Sequence, residues 1–359
     1  MQGRRRMRTR ANNTETMTGK ATILVAGGTG YIGTHTTVEL IEAGYDVVMT
    51  DNLSNSDASM HARVEKIVGR TVPFIKADCR DREAMDAIFG RHSINAVIHF
   101  AAFKAVGESV SEPLKYLDNN LTSLMVVLET MRRHRVGNLV FSSSATVYGQ
   151  PDVLPVTERT PRQRANSPYG YTKQVSEDII EDCVKAYGGM KAVALRYFNP
   201  IGAHPSALIG ELPKGTPNNL VPFITQTAAG WRECLSVFGD DYDTPDGSAL
   251  RDYIDVVDLA RAHVAAVGRM LEGKSETACE IFNVGTGTPV SVLELIHEFE
   301  RVNGLELRYR IAPRREGDIE KIWADTSLAN RELDWKAERT LSETLAAAWA
   351  WQKTLAEPE

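Results

Sequence analysis

Short apolar runs alternate along this chain with longer stretches whose apolar residues recur at helical spacing. Residues 21–26 (ATILVA) are one such run, ended by Gly27-Gly28, and suit a strand buried on both faces. Residues 31–43 follow as a helix, with Ile32, Leu40 and Ile41 apolar and Gly44 as its stop. Residues 47–49 run into Asp51, and 73–77, 96–100, 139–142 and 193–197 repeat the short-strand pattern. Between them, 82–89, 114–133 and 167–187 carry helical spacing. Strands alternating with helices predict right-handed βαβ units around a parallel sheet, an α/β doubly wound fold.

After Asn199 the texture changes. Residues 200–250 are rich in Gly, Pro, Asn and Asp, with one short helix predicted over 222–230. They are expected to form substrate-facing loops on a smaller second lobe. Helical spacing returns over 251–269. Residues 291–303 suit an amphipathic helix with Ser291 as N-cap, and 341–353 close the chain as a helix. The lobe is expected to be discontinuous, because a strand at 279–284 can rejoin the main sheet. The expected layout is a cofactor domain over 21–199, with segments near 251–290 rejoining it, and a substrate lobe made mainly of 200–359.

Composition narrows the function. Among 359 residues, Lys and Arg number 41 and Asp and Glu 47, a formal charge of −6. A nucleic-acid surface normally shows a basic excess, so a polyanion partner is not expected. No apolar run approaches the roughly 20 residues that span a bilayer. Cys79, Cys183, Cys234 and Cys279 form no C-x-x-C pair and no zinc spacing. That pattern points to free thiols in a reducing compartment, the cytoplasm, and to no metal site. Residues 1–20 carry Arg4, Arg5, Arg6, Arg8 and Arg10 with almost nothing apolar. They lack the apolar core of a secretory signal and are expected to be a disordered basic extension, with Met17 as an alternative start.

Between the first strand and the first helix, Gly27, Gly28, Gly30 and Gly33 fall in GGTGYIG. Gly27 permits a tight turn, Gly30 lets backbone approach a pyrophosphate, and Gly33 lets helix pack on strand. The helix N-terminus then offers N–H groups and a positive dipole end to phosphates. Asp51 ends the second strand, 18 residues past Gly33, where a carboxylate can accept from an adenosine ribose. No Arg immediately follows it, so a 2′-phosphate would meet negative charge, and NAD is expected rather than NADP.

Tyr169 and Lys173 stand four apart at the start of the helix predicted from Ser167, hence on one face. A phenol, with a pKa of about 10, is a poor base near neutrality. A neighbouring ammonium and a positive nicotinamide would both favour the phenolate. Such a Tyr can take a proton from a sugar hydroxyl while hydride leaves the same carbon. Tyr187 and Lys191 share the spacing, but Gly188-Gly189 lies between them and breaks a helix. Tyr171 has no Lys at that offset and is expected to be a packing residue. Ser142-Ser143-Ser144 ends the fifth strand, where parallel strands point into a ligand crevice.

Further along come HFAAFKAVGES from His99, FSSSATVYG from Phe141 and SPYGYTK from Ser167. RYFNPIGAHPSALIGE from Arg196, PNNL from Pro217, LRDYIDVVDLA from Leu250 and APRREGD from Ala312 follow. With AGGTGYIG from Ala26, they make the chain resemble the extended short-chain dehydrogenase/reductase family, and within it the sugar-nucleotide 4-epimerases, over nearly its whole length. The resemblance implies a Rossmann-like fold with a smaller discontinuous C-terminal lobe. It also implies retained NAD and reversible C4 epimerisation of UDP-galactose and UDP-glucose through a 4-keto sugar.

Residue by residue, it assigns Gly27, Gly30, Tyr31, Ile32 and Gly33 to the cofactor loop. Asp51 and Asn52 fall to the ribose, and Asp78 and Cys79 to the adenine. Phe100, Ala101 and Lys104 wall the nicotinamide ribose, with Asn119, Ser142 and Phe198 nearby. Ser144, Tyr169 and Lys173 form the catalytic set. Asn199, Asn219, Leu220, Phe238, Arg251, Arg315 and Asp318 meet the UDP-sugar, and only one of Arg314 and Arg315 is expected to face the diphosphate. A homodimer through the helices at 114–133 and 167–187 is also implied.

Ile322 stands where the family carries residues of varied size beside the sugar, so N-acetylated substrates are an open question. A 4,6-dehydratase would need an acid after the strand-five hydroxyl, and here Ala145-Thr146 follows Ser144. A 4-epimerase of another UDP-sugar (a UDP-N-acetylhexosamine, UDP-pentose or UDP-uronate) is the alternative. A non-catalytic sensor or scaffold would be expected to lack Tyr169 or Lys173.

Overall fold

A computed structural model describes residues 21–314 and 319–355. The basic leader, Arg315 and Asp318 lie outside the described residues. Six strands come early: β1 (Thr22–Ala26), β2 (Asp46–Asp51), β3 (Phe74–Lys76), β4 (Ile94–His99), β5 (Asn138–Ser144) and β6 (Lys191–Tyr197). Three more, β7 (Asn199–Ile201), β8 (Leu235–Phe238) and β9 (Leu250–Asp255), precede β10 (Cys279–Val284). β11 (Pro289–Ser291), β12 (Tyr309–Ala312) and β13 (Lys321–Ile322) follow. The helices are α1 (Tyr31–Glu42), α2 (Ser59–Val68), α3 (Arg82–Arg91), α4 (Val106–Ser111), α5 (Pro113–Arg133) and α6 (Pro168–Ala186). Then come α7 (Leu220–Ala228), α8 (Val256–Leu271), α9 (Val292–Asn303), α10 (Ser327–Glu332) and α11 (Leu341–Gln352).

A seven-stranded parallel sheet in the order β10-β6-β5-β4-β1-β2-β3 organises the chain. Its strands are apolar on both faces because both are covered. Ile23, Val25, Met49, Ile98 and Val140 point to one side, against Val38 and Leu40 of α1 and Leu259 and Ala266 of α8. Leu24, Ala26, Val48, Val97 and Leu139 point to the other, against Met85 of α3, Leu124 and Val127 of α5 and Ile180 of α6. The alternating, doubly wound reading of the sequence therefore holds for this sheet.

β9 is the spine of a second sheet, with β7 and β13 parallel and β11 antiparallel to it. Its apolar support includes Ile201, Ile224, Val237, Leu295 and Phe299. Here one expectation fails. Residues 251–269 are not all helix: β9 runs to Asp255, whose carboxylate caps α8 by accepting from the Val257 N–H at 2.7 Å. The buried Asp252 explains the misreading. Its oxygens accept from the N–H groups of Thr286 (2.8 Å), Gly287 (3.0 Å) and Ala324 (3.2 Å). A charged residue in mid-strand is tolerated where such donors converge, and none of them is nearby in sequence.

Candidate active site

The strand order reverses between β1 and β4, and the glycine loop fills the crevice there. Gly27 adopts φ +83°, and a Cβ on it would stand 2.8 Å from the Ala101 nitrogen. A Cβ on Gly33 would stand 2.3 Å from the Gly27 carbonyl oxygen, so α1 packs on the loop only with glycine at that point. Gly30 is the N-cap of α1 and supplies no side-chain acceptor to its first turn. The cradle and the uncapped helix start fit a dinucleotide pyrophosphate. Tyr31 and Ile32 begin α1. The Tyr31 hydroxyl donates to the Gly202 carbonyl at 2.7 Å, tying the loop to the second lobe.

Asp51 is nine-tenths buried and already oriented. Its Oδ1 accepts from Leu53 N–H and the Ser56 hydroxyl, both at 2.9 Å, and its Oδ2 accepts from Thr29 N–H at 3.3 Å. A carboxylate offers about four acceptor sites, so Oδ2 retains capacity for a ribose hydroxyl. Asn52 donates to Asp78 at 2.9 Å. Arg80, bonded to Asp78, holds that carboxyl down at about 2, aided by Asn52. Two carboxylates at this end suit a 2′-hydroxyl and oppose a 2′-phosphate. Cys79 is buried, and burial pushes its thiol up to about 12, so it stays a neutral thiol.

At the carboxyl edge of β4 and β5 the expected catalytic set comes together. The Lys173 ammonium donates to the Ser142 carbonyl at 2.6 Å and lies 4.9 Å from the Phe141 ring centre and 5.8 Å from that of Tyr169. The Ser144 hydroxyl accepts from Thr146 N–H at 3.2 Å and is close enough to the Tyr169 phenol to pull its pKa down. Ser142 is hydrogen-bonded to the Tyr197 hydroxyl. Phe100 packs 4.7 Å from His263, Ala101 accepts from Ser123 at 3.3 Å, and the buried Asn119 donates to Asn120 at 3.0 Å.

The electrostatics of the pair differ from expectation. Burial pushes the Tyr169 phenol up to about 12, with the Ser144 hydrogen bond pulling the other way. Burial also pushes Lys173 down to about 7, partly offset by Glu177. Desolvation outweighs the neighbouring cation, so the chain by itself does not poise a phenolate. Of the other tyrosines, Tyr187 sits at the helix end, where the chain turns towards β6 and Lys191. Tyr171 is exposed rather than packed within the chain.

The substrate candidates lie on the second lobe. Asn199 opens β7, Asn219 is the N-cap of α7, and Leu220 begins that helix. Phe238 ends β8 with its ring exposed. Arg251, on β9, donates to the carbonyls of Leu250 (2.8 Å) and Glu320 (3.2 Å). Arg314 pairs with Asp241 at 2.6 Å and lies 4.1 Å from the Tyr242 ring centre. Phe198 and Ile322 share an apolar cluster with Ala145 and Tyr148 of the turn that follows Ser144.

A family model described as GDP-mannose 4,6 dehydratase matches residues 24–348. The UDP-glucose 4-epimerase of Bacillus subtilis (strain 168) is 52% identical over 332 residues, covering 92% of this chain and 97% of that protein. The chain belongs to the UDP-glucose 4-epimerase family. Among solved family members, that of Bifidobacterium longum in complex with NAD+ and UDP superposes with a TM-score of 0.90 at 47% identity. It covers 93% of this chain and 98% of its own. The Stenotrophomonas maltophila enzyme with bound NAD and formylated UDP-arabinopyranose gives 0.90 at 48%, with the same coverage.

Three residues of this family member escaped the sequence reading. Glu177 follows Lys173 by four on the Tyr169 face, a spacing that could have flagged it. It is clamped by Arg196 at 2.6 and 2.9 Å and accepts from Ser143 at 2.6 Å, locking α6 to β5 and β6. Thr29 N–H and Ser56 steer Asp51, which only the folded loop reveals.

Proposed function

We propose that this chain interconverts UDP-glucose and UDP-galactose by reversible C4 epimerisation with retained NAD. The observation that carries the reading is the meeting of Tyr169, Lys173 and Ser144 at one strand edge beside the glycine cradle. NAD, held by the cradle of Gly27 and Gly33 and by Asp51, would supply the hydride acceptor and donor at C4 and a positive ring that favours a nearby phenolate. Tyr169 takes the O4 proton and gives it back, and Ser144 orients the reacting oxygen. Lys173 holds Tyr169 and the Ser142 strand end in register. Between the two transfers the 4-keto sugar must turn over, so the grip belongs on the uridine diphosphate. Asn199, Asn219, Leu220, Phe238 and Arg251 are the described residues assigned to it.

The matched family model is described by a 4,6-dehydratase. Here Ala145 and Thr146 follow Ser144, with no carboxylate to expel water at C6. A 4-epimerase of another UDP-sugar is the less favoured reading, because the Bacillus subtilis relative at 52% identity is a UDP-glucose 4-epimerase. The dimer is part of the proposal: Val110, Leu114, Met125 and Tyr171 leave apolar surface on the mutually packed α4, α5 and α6. Among the described residues no helix is long and apolar enough to cross a membrane, and the reading places the activity in the cytoplasm, in galactose metabolism. The test is interconversion of the two UDP-hexoses by purified protein without added NAD. Turnover supports the reading. No turnover, with or without NAD, removes it.

A further inference from the structure

Glu211 links the two candidate ligand sites through one atom. Its Oε1 accepts from the Lys104 ammonium at 2.8 Å and from the Asn219 amide nitrogen at 2.6 Å. Lys104 belongs to the loop after β4, on the cofactor side, and stands 5.7 Å from the ring centre of Tyr31 in the cofactor loop. Asn219 opens α7 on the substrate side. The carboxylate is only 11% exposed and its backbone is anchored. The Glu211 carbonyl accepts from the Trp351 indole N–H at 3.0 Å, and a Cβ on Gly210 would stand 2.4 Å from that indole ring.

Asn219 behaves unusually for its position. An Asn at an N-cap normally turns its side-chain oxygen onto the first-turn N–H groups. Here the side chain makes no cap bond and donates to Glu211 instead. Drawing it away leaves the start of α7 open to an anion. A bare carboxylate beside that spot would repel a diphosphate, and the Lys104 ammonium neutralises it.

We propose that Glu211 is a positioning residue that couples the cofactor crevice to the diphosphate end of the UDP-sugar site. It does so by holding Lys104 and Asn219 on one oxygen. This rests on the UDP-sugar reading above. Without Glu211, Asn219 is free to cap α7 and compete with the diphosphate. Without Lys104, the Glu211 charge faces the diphosphate unmasked. Each loss weakens UDP, and the two losses overlap because they act through the same carboxylate.

The experiment is calorimetric titration of UDP into NAD-loaded wild type, Lys104→Ala, Glu211→Ala and the double variant, with thermal unfolding as the check on folding. Each single change is expected to weaken UDP by about threefold or more, and the double variant to be no weaker than the worse single. Glu211→Gln, which keeps the acceptor and loses the charge, is expected to fall between wild type and Glu211→Ala. In steady state, the Glu211 variants raise KM while kcat stays within about twofold, since the chemistry at Tyr169 is untouched. Additive losses in folded variants, or a Glu211→Ala protein that binds UDP as wild type does, overturn the coupling. Wild type that takes up no UDP overturns the functional reading instead.

Discussion

The Lys173 ammonium reaches the Ser142 carbonyl at 2.6 Å, so the helix that carries Tyr169 is pinned to the strand end that carries Ser144. The pin is buried, and the next helical turn is pinned again by Glu177 to Arg196 and Ser143. Two attachments one turn apart fix the position of α6 on the sheet and its rotation. That leaves the phenol little freedom except at its own torsions.

Replacing Tyr169 with Phe removes the one hydroxyl that Ser144 influences at this strand edge. The fold and the bound NAD are expected to persist, because the ring still fills its place. General acid–base groups contribute about 10²–10⁴-fold, and turnover is expected to fall within that range. Steady-state kinetics, with absorbance to count retained NAD, check both halves.

Lys173 is held down at about 7 by burial, against about 10.4 in an unfolded chain. Between those values the unfolded chain binds the extra proton, so folding stability from this group rises with pH over that interval. In Lys173→Met the rise is expected to vanish. Urea midpoints of wild type and variant at intervals from pH 7 to pH 10 measure the difference.

Three buried histidines set the acid side. His35 and His99 are pushed down to about 3 and His263 to about 4, in each case chiefly by burial. Their contribution is complete above the unfolded value of about 6.5 and is lost as pH falls towards their folded values. Each site that protonates only on unfolding costs about 1.4 kcal/mol per pH unit. Urea midpoints are expected to drop steeply below pH 6, and His263→Phe is expected to make the drop shallower.

Ile322 is buried in one apolar cluster with Ala145, Tyr148 and Phe198, beside the turn that follows Ser144. An aliphatic there leaves room that a phenol would take. Measurable turnover of UDP-N-acetylglucosamine is therefore expected, below that of the UDP-hexoses. Crowding a closed apolar wall costs roughly 1–3 kcal/mol. In Ile322→Tyr the N-acetyl activity is expected to fall about tenfold or more, while UDP-galactose turnover stays within a few-fold.

The parts visible in the sequence were those fixed by local chemistry. Gly27 is demanded locally by its φ of +83°, Gly33 by its contact with the Gly27 carbonyl, and Asp51 by its place at a strand end. Tyr169 and Lys173 share a face by helical spacing alone. What stayed hidden depends on remote partners. β9 looked helical because Arg251 and Asp252 are charged, and Asp252 is satisfied by N–H groups from 286, 287 and 324. β8 and β12 exist only by pairing with each other across about seventy residues, Phe238 against Ala312. The Tyr169 phenol was expected to be lowered by Lys173 and is instead raised, because burial is a property of the packed site and not of the spacing.

The late arrival of β10 has a consequence for how the protein is made. β6 is already synthesised by Tyr197, yet its outer neighbour is Cys279–Val284, and α8, which covers α1 and the β1 face, ends only at Leu271. While the intervening residues emerge from the ribosome, β6 presents an open row of backbone donors and acceptors, and the apolar face meant for α8 stays bare. Such an edge invites pairing with another chain. The nascent protein is thus most exposed to aggregation in the interval between residues 197 and 284, and pulse-labelled chains arrested in that window should be the ones that chaperones retain.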